Sequence, residues 1–420
     1  MSLTKKNTEL SLIIKASCAV FITYLSMYAF RKPFTAAQYS NISLWGVNYK
    51  ILLIIAQLIG YTISKYFGIK IISELTASKR TITLILLMAA SWISLLFFAI
   101  VPAPYNLPFI FLNGLPLGMI WGVVFSYIEG RRHTELLGVA MASSFIISSG
   151  IVKGVGSYLL ITMHVSEMWM PFLTGLLFLP VLFLGVYLLH SIEQPNEDDI
   201  NARTERLPMS AKERNIFFKR FAPGILFSVS IYVCLTVFRD LRDNFAVEFW
   251  NSIGMKNIPS MLVFTELPIA FLVIIIIGSM IFIKNNKHAF FINFLLVFIG
   301  GILLLLSTLL FYNQLMSPTY WMIIVGFSMY LPYIAFHALF FERWIAYFKI
   351  KSNIGFLMYL ADAAGYFGST LVLLFKNFNS IQYSWVSFFT FSALITSIFI
   401  IILSIANFIY FKKQDQLQII

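Results

Sequence analysis

Charged residues are scarce in this chain of 420 residues. Asp, Glu, Lys and Arg make up 11% of it, whereas a soluble domain contains about 25%. Hydrophobic residues make up 59%, and the mean hydropathy is +0.84. This lack of charge excludes a soluble globular protein. The apolar runs are long and do not alternate with polar residues as barrel strands do, so the sequence predicts an all-α polytopic membrane protein.

Cysteines and catalytic motifs are also scarce. Cys18 and Cys234, the two cysteines, fall in different apolar segments, and we interpret them as packing residues and not as a disulfide. The sequence shows no metal-ligand cluster, Walker A loop or nucleophile elbow. We therefore expect no enzyme, no cofactor and no metal. The apolar run from Leu10 is too long for a cleaved signal peptide.

The apolar segments predict about twelve membrane spans, since a spanning helix needs about 20 apolar residues. The predicted spans are 11–37, 49–73, 81–101, 106–128, 134–162, 168–191, 219–246, 260–283, 288–312, 318–347, 353–376 and 384–411. A polar segment at 193–218 divides them into an N-terminal bundle of six helices, 1–192, and a C-terminal bundle of six, 219–420.

The net charge of +12 at first suggests nucleic-acid binding, but the placement of the charges argues against it. Most basic clusters fall on one side of the twelve-span arrangement: Lys5 and Lys6, Lys79 and Arg80, Arg131 and Arg132, the run from Arg203 to Arg220, Lys284 and Lys287, Lys349 and Lys351, and Lys412 and Lys413. The opposite loops contain little more than Lys50, Lys256 and Lys376. This is the positive-inside pattern, and it predicts an inner (plasma) membrane protein with both termini and the linker in the cytoplasm.

Two arginines lie inside apolar segments, Arg31 in the first span and Arg239 in the seventh. A charge at membrane depth costs about 2.5–3.5 kcal/mol on insertion scales, so such residues usually mark a substrate or ion path. The planar guanidinium matches the oxygens of phosphate and carboxylate. One such arginine in each half predicts a central anion site that the two halves share.

Four short motifs resemble the major facilitator superfamily and, within it, the organophosphate:phosphate antiporters. The motifs are Tyr28-Ala29-Phe30-Arg31-Lys32-Pro33-Phe34, Ser64-Lys65, Phe238-Arg239 and Glu266-Leu267-Pro268. The family's histidine in the fifth span is absent here. The resemblance implies two six-helix bundles, phosphate binding by Arg31 and Arg239, and an organophosphate antiporter of divergent sequence.

Further candidates are the other charges within the spans and the aromatic residues near the arginines. The candidates for substrate binding are Arg31, Arg239, Lys65, Tyr28, Tyr24, Lys153, Arg242 and Tyr333. The candidates for coupling or gating are Glu266, Asp362, Asp240 and Asp243. Some of these bases and acids can instead form structural pairs, such as Lys153 with Asp362, because buried ion pairs need not bind a ligand.

The sequence favours a secondary active transporter of a small organic anion, such as a phosphorylated metabolite, that works by alternating access. Two alternatives stay open. The first is a proton-coupled carrier of a carboxylate or sugar, which the extra acids favour. The second is a transporter-like anion sensor. We expect a monomer whose partners are the small-molecule anion and the lipid bilayer, without nucleic acid.

The topology has a direct test. In a background lacking Cys18 and Cys234, a cysteine introduced by Asn201→Cys should resist a membrane-impermeant thiol reagent in intact cells and react after lysis. Labelling of intact cells would contradict the cytoplasmic assignment of the linker.

Overall fold

The computed structural model of the protein describes residues 3–73, 75–128, 131, 134–193, 211–255, 258–348, 354–378 and 384–419. The chain forms two compact units. The first unit comprises Met1–Arg203, Asn244–Leu267 and Leu373–Ser380, and the second comprises Thr204–Asp243, Pro268–Val372 and Ile381–Ile420. The sequence-based division at 193–218 stays a prediction, because residues 194–210 lie outside the described part of the chain.

Helices dominate both units. In chain order they are α1 (Leu3–Arg31), α2 (Tyr49–Ser73), α3 (Arg80–Ile100), α4 (Leu107–Ser126), α5 (Thr134–Ile161), α6 (Met170–His190), α7 (Ala211–Ser252), α8 (Ile258–Phe264), α9 (Glu266–Ser279), α10 (Asn286–Tyr312), α11 (Pro318–Ala335), α12 (Phe341–Phe348), α13 (Ile354–Phe378) and α14 (Trp385–Ile419). A short antiparallel hairpin, β1 (Ser43–Leu44) and β2 (Val47–Asn48), precedes α2.

Among the described residues, eleven helices are long and apolar enough to cross a membrane. Helix α13 occupies the position of the remaining predicted span, 353–376. The prediction of an all-α polytopic membrane protein is confirmed. Backbone amide and carbonyl groups find no water in hydrocarbon, so a helix satisfies them within each span.

Proline explains two differences between the predicted spans and the helices. Helix α1 ends at Arg31, short of the predicted residue 37, and a 3-10 turn follows at Pro33–Ala36. The predicted span 260–283 is interrupted at Thr265, between α8 and α9. Pro268 has no amide hydrogen and its ring clashes with the carbonyl of Phe264, so an α-helix cannot run unperturbed through this point.

In the first unit, small residues and amides hold α1, α2 and α4 together and fix the end of α1. A Cβ atom on Gly114 of α4 would collide with the carbonyl oxygen of Gln57 on α2. The amide of Gln57 donates to Asn113 and to the backbone oxygen of Arg31, both at 2.8 Å. Close helix approach thus brings buried hydrogen bonds to the residue that ends α1.

A buried ion pair joins α2 to the last part of α7 within the same unit. The Nζ atom of Lys50 lies 2.5 Å from a carboxylate oxygen of Glu248, and it also donates to the carbonyl oxygen of Thr35 at 2.5 Å. Lys32, the residue after the end of α1, donates to the side chain of Asn244 at 2.9 Å. Polar contacts thus connect residues Asn244–Ser252 of α7 to the C-terminal end of α1 and the N-terminal end of α2.

In the second unit, α10 packs against α11, α12 and α14. Aromatic rings fill this contact: the ring of Phe411 lies 5.1 Å from that of Phe290 and 4.8 Å from that of Trp344, both near-perpendicular. Between α11 and α12 the backbone forms a π-helical segment, Phe336–Phe340. Such segments occur often at functional sites.

The Lys50–Glu248 pair leads to a stability prediction. Lys50→Met should lower the free energy of unfolding by about 3–5 kcal/mol, because it leaves the Glu248 carboxylate without its main partner, and Lys50→Met combined with Glu248→Met should recover most of that loss. Thermal unfolding of the purified protein measures both effects.

The pair formed by Lys287 and Asp415 serves as a control, since it has a similar length of 2.7 Å but its lysine is 40% exposed. Lys287→Met should cost at most about 1 kcal/mol. Equal losses at Lys50 and Lys287 would contradict the prediction.

Candidate functional site

Arg31 lies at the C-terminal end of α1 and is only 5% exposed. Its guanidinium carbon is 4.2 Å from the centre of the Tyr61 ring on α2 and 5.9 Å from that of Tyr28 on α1. An aromatic face stabilises a cation, so the two tyrosine rings help to bury the Arg31 guanidinium inside the protein.

Lys65 also faces the ring of Tyr61. Its Nζ atom is 5.4 Å from the centre of the Tyr61 ring and 6.0 Å from that of Trp121 on α4. Tyr24 and Tyr28 complete the cluster, with their rings 5.9 Å apart and both against Phe145 of α5. The structure therefore brings together the four predicted residues Arg31, Lys65, Tyr24 and Tyr28. We call them, with Tyr61, the Arg31 cluster.

Arg239 on α7 has a comparable environment within the second unit. Its guanidinium carbon lies 4.4 Å from the centre of the Tyr333 ring and 5.9 Å from that of Tyr366. It also donates to the hydroxyl of Tyr333. Arg239 also forms an ion pair of 2.7 Å with Asp240, which compensates part of its charge.

A second group of polar side chains centres on the hydroxyl of Tyr232, two turns before Arg239 on α7. This oxygen is 2.5 Å from Asp362 Oδ1 on α13, 2.7 Å from Nε2 of His337 in the π segment and 3.3 Å from the hydroxyl of Tyr333. We call these four residues the Tyr232 cluster. Tyr333 belongs to it and also contacts Arg239, so the predicted residues Arg239, Tyr333, Asp240 and Asp362 are linked through hydrogen bonds.

The other predicted residues are buried elsewhere in the units. Arg242 donates to the carbonyl oxygen of Met322 at 3.2 Å, beside Gly326. Lys153 of α5 is 2% exposed, and its charge acts on Lys50 in the same unit. Asp243 is also buried, at 6% exposure. The association of Lys153 with Asp362 stays a prediction.

Glu266 begins α9, next to the break in the predicted span. A Cβ atom on Gly150 of α5 would lie 2.7 Å from Cγ of Glu266. This small residue therefore allows the buried glutamate to pack closely against α5. A carboxylate in the first turn of a helix interacts favourably with the helix dipole.

Sequence reasoning missed two residues, Tyr61 and Tyr232. Each has a helical spacing that relates it to a predicted residue: Tyr61 precedes Lys65 by four residues, and Tyr232 precedes Arg239 by seven, so each pair lies on one helix face. Among the 20 tyrosines of the chain, however, this spacing is a weak signal. Among the described residues, no group of three or more His, Cys, Asp or Glu side chains is placed to hold a metal ion.

The sequence matches a family model over residues 33–414, nearly its whole length. The chain belongs to DUF5690, a family of unknown function. A comparison of this DUF5690 sequence with curated proteins found no match.

Solved structures similar to the DUF5690 chain are transporters of the major facilitator superfamily. The nucleoside transporter NupG is 12% identical over 96% of this chain and 99% of its own, with a TM-score of 0.63. A D-xylose-proton symporter is 14% identical over 95% of this chain and 97% of its own, with a TM-score of 0.61. The proton:xylose symporter XylE bound to 6-bromo-6-deoxy-D-glucose is 14% identical over 94% of this chain and 95% of its own, with a TM-score of 0.56.

These likenesses confirm the predicted major facilitator fold. At such low identity they establish the fold alone. The closer resemblance to organophosphate:phosphate antiporters stays a hypothesis based on the four sequence motifs.

The Arg31 cluster generates a prediction about Tyr61. Tyr61→Leu removes the ring that faces both cations, whereas Tyr61→Phe keeps it. In a double-mutant cycle with Arg31→Met, measured by thermal unfolding, Tyr61→Leu should show a coupling energy of about 0.5–2 kcal/mol. Tyr158→Leu on α5, which replaces a tyrosine that is 46% exposed, is the control and should show none. A zero coupling for Tyr61 would mean that the ring only fills space.

Proposed function

We propose that this DUF5690 protein is a secondary active transporter of a small organic anion, a phosphorylated metabolite being the best-matched class. The observation that supports it is the same in each unit: an arginine within a membrane span is almost completely buried and stacks on tyrosine rings. Burying a guanidinium in a span is costly, so an arginine in such a position usually has a functional role.

The chemistry of the two arginines favours an anion with several oxygens. Guanidinium groups donate in parallel pairs to phosphate and carboxylate oxygens. Lys65 adds a further cation beside Arg31, through their shared contact with Tyr61. A cluster with two cations suits a group that carries more than one negative charge, as a phosphate monoester does at neutral pH.

The fold supplies the mechanism that we infer. Major facilitator proteins hold their substrate near the middle of the membrane and alternate the access of this site between the two sides. A bound anion would shift the equilibrium between the two access states toward the state that binds it more tightly. We place both termini in the cytoplasm on the basis of the one-sided basic loops.

A second candidate function is a proton-coupled carrier of a carboxylate or a sugar. The Tyr232 cluster favours it, because it holds an acid and a histidine around one hydroxyl. The similar solved structures include proton symporters of xylose and a nucleoside transporter. A transporter-like anion sensor is a third possibility, and a carrier differs from it by net movement of substrate.

Transport by the purified protein in proteoliposomes distinguishes these functions. Uptake and counterflow are measured with inorganic phosphate, glycerol phosphate, hexose phosphates, dicarboxylates, xylose and nucleosides. We expect exchange of a phosphorylated compound. Accumulation of a carboxylate or neutral sugar that depends on a proton gradient would favour the second function, and binding without movement would favour a sensor.

Variants of the two arginines test most directly whether these residues bind the anion. Arg31→Lys and Arg239→Lys keep the charge but lose the planar pair of donors. Each should lower the apparent affinity for the transported anion about tenfold to a hundredfold, the effect of losing about 1.5–3 kcal/mol of charged hydrogen bonding. Protein yield in the membrane should stay close to normal.

Arg220→Lys is the matched control, because Arg220 lies exposed on the same helix as Arg239. Its transport should equal that of the wild type. Unchanged transport by both Arg31→Lys and Arg239→Lys would show that these arginines are structural.

A further inference from the structure

The hydroxyl of Tyr232 has more neighbours than a structural tyrosine needs. It is surrounded by Asp362 from α13, His337 from the π segment and Tyr333 from α11, all within hydrogen-bond distance. Tyr232 is itself completely buried, at 0% exposure, and Asp362 is 5% exposed. Two spans of the second unit thus direct polar groups at one oxygen atom of a third, α7.

The hydrogen-bonding capacity of a phenol limits how these contacts can be made. A phenol donates one hydrogen and accepts two. If Tyr232 donates to the Asp362 carboxylate, then His337 Nε2 has to carry a hydrogen and donate to Tyr232. If Tyr232 donates to His337 instead, then Asp362 has to be protonated and donate to Tyr232. These two arrangements differ in which group holds the proton. In a third, Tyr232 donates to Tyr333, and Asp362 and His337 each carry a hydrogen.

We propose that the Tyr232 cluster is a proton-binding site in which Tyr232 relays a proton between Asp362 and His337, and that anion binding at Arg239 controls its occupancy. The transfer is balanced. The Asp362 proton moves to the Tyr232 oxygen as the Tyr232 proton moves to His337 Nε2. A neutral acid and a neutral imidazole become a carboxylate and an imidazolium, and Tyr232 ends as it began.

The connection to Arg239 runs through Tyr333. Arg239 donates to the Tyr333 hydroxyl, which lies 3.3 Å from that of Tyr232. Among the described contacts, the titratable and charged side chains that reach the cluster include Arg239 and Asp240 from α7, Tyr333 and His337 from α11 and the π segment, and Asp362 and Tyr366 from α13. Arg239 disfavours protonation of this site because like charges repel. An anion bound to Arg239 cancels that repulsion, so anion and proton bind cooperatively.

This inference rests on the proposed function for its coupling to an anion, but the proton site can be measured alone. Infrared spectroscopy of the purified protein in liposomes follows the C=O stretch of protonated carboxyl groups during a pH titration without ligand. In the wild type, one such band belongs to Asp362 and disappears in Asp362→Asn. In Tyr232→Phe, which keeps the ring and loses the hydroxyl, the band should change frequency and its titration midpoint should shift by about one pH unit, a tenfold change in proton affinity.

Three further variants make the result decisive. His337→Gln should also move the Asp362 midpoint, and it serves if Tyr232→Phe does not fold. Asp415→Asn and Tyr410→Phe, which lie on α14 outside the cluster, should leave the midpoint unchanged. An Asp362 band that is absent at every pH, or a midpoint unaffected by both Tyr232→Phe and His337→Gln, would overturn the proton site.

The coupling is tested with inorganic phosphate as the probe. In proteoliposomes containing a pH-sensitive dye, phosphate should drive proton movement with the wild type. With Tyr232→Phe, phosphate counterflow should persist while proton movement falls at least about tenfold, because the hydroxyl that passes the proton between Asp362 and His337 is missing. Proton movement equal to that of the wild type would overturn the coupling.

Failure of the proposed function gives a different pattern. In that case phosphate and the organic anions neither bind nor exchange with any variant, yet the ligand-free titration still shows the Asp362 band and its dependence on Tyr232. Arg31→Lys separates the two further, since it should weaken phosphate exchange and leave the titration unchanged.

Discussion

Every ionic side chain within the spans has to be compensated inside the protein, because hydrocarbon supplies neither water nor counterions. The described residues show this in different ways. Lys50 is matched by a carboxylate and a carbonyl oxygen, and Arg239 by a carboxylate and tyrosine rings. The guanidinium of Arg31 lies against the rings of Tyr61 and Tyr28. Aromatic rings therefore take part in the compensation of both arginines.

The same requirement explains the connected geometry of the second unit. Arg239, Tyr333, Tyr232 and Asp362 come from three spans and form one continuous series of hydrogen bonds. Within a low-dielectric interior, each bond in such a series polarises the next, so a change of charge at one end is felt at the other. In the proposed proton site, this series links the occupancy of Arg239 to the protonation of Asp362.

Sequence reasoning predicted the spans and the two arginines, because both depend on a single strong term, the cost of polar groups in hydrocarbon. It also identified Lys65, Tyr28 and Tyr24, through motif resemblance and helical spacing. It did not identify Tyr61 or Tyr232, because a tyrosine is an ordinary residue in a span and its role depends on neighbours from other helices. The π segment around His337 was also missed, since it has no clear local sequence signal, whereas Pro268 could have indicated the break before α9.

The hairpin between α1 and α2 has a consequence for how deeply the protein sits in the bilayer. Trp45 and Gly46 both have positive φ angles, of 55° and 74°, and the Trp45 side chain is 79% exposed. A left-handed conformation costs free energy for a bulky residue, and glycine or asparagine would adopt it at this turn at a lower cost. Indole rings favour the headgroup layer, where the ring contacts acyl chains and its N–H stays hydrated. We therefore expect Trp45 to lie in the headgroup layer and so to set the depth of the connection between α1 and α2 in the bilayer.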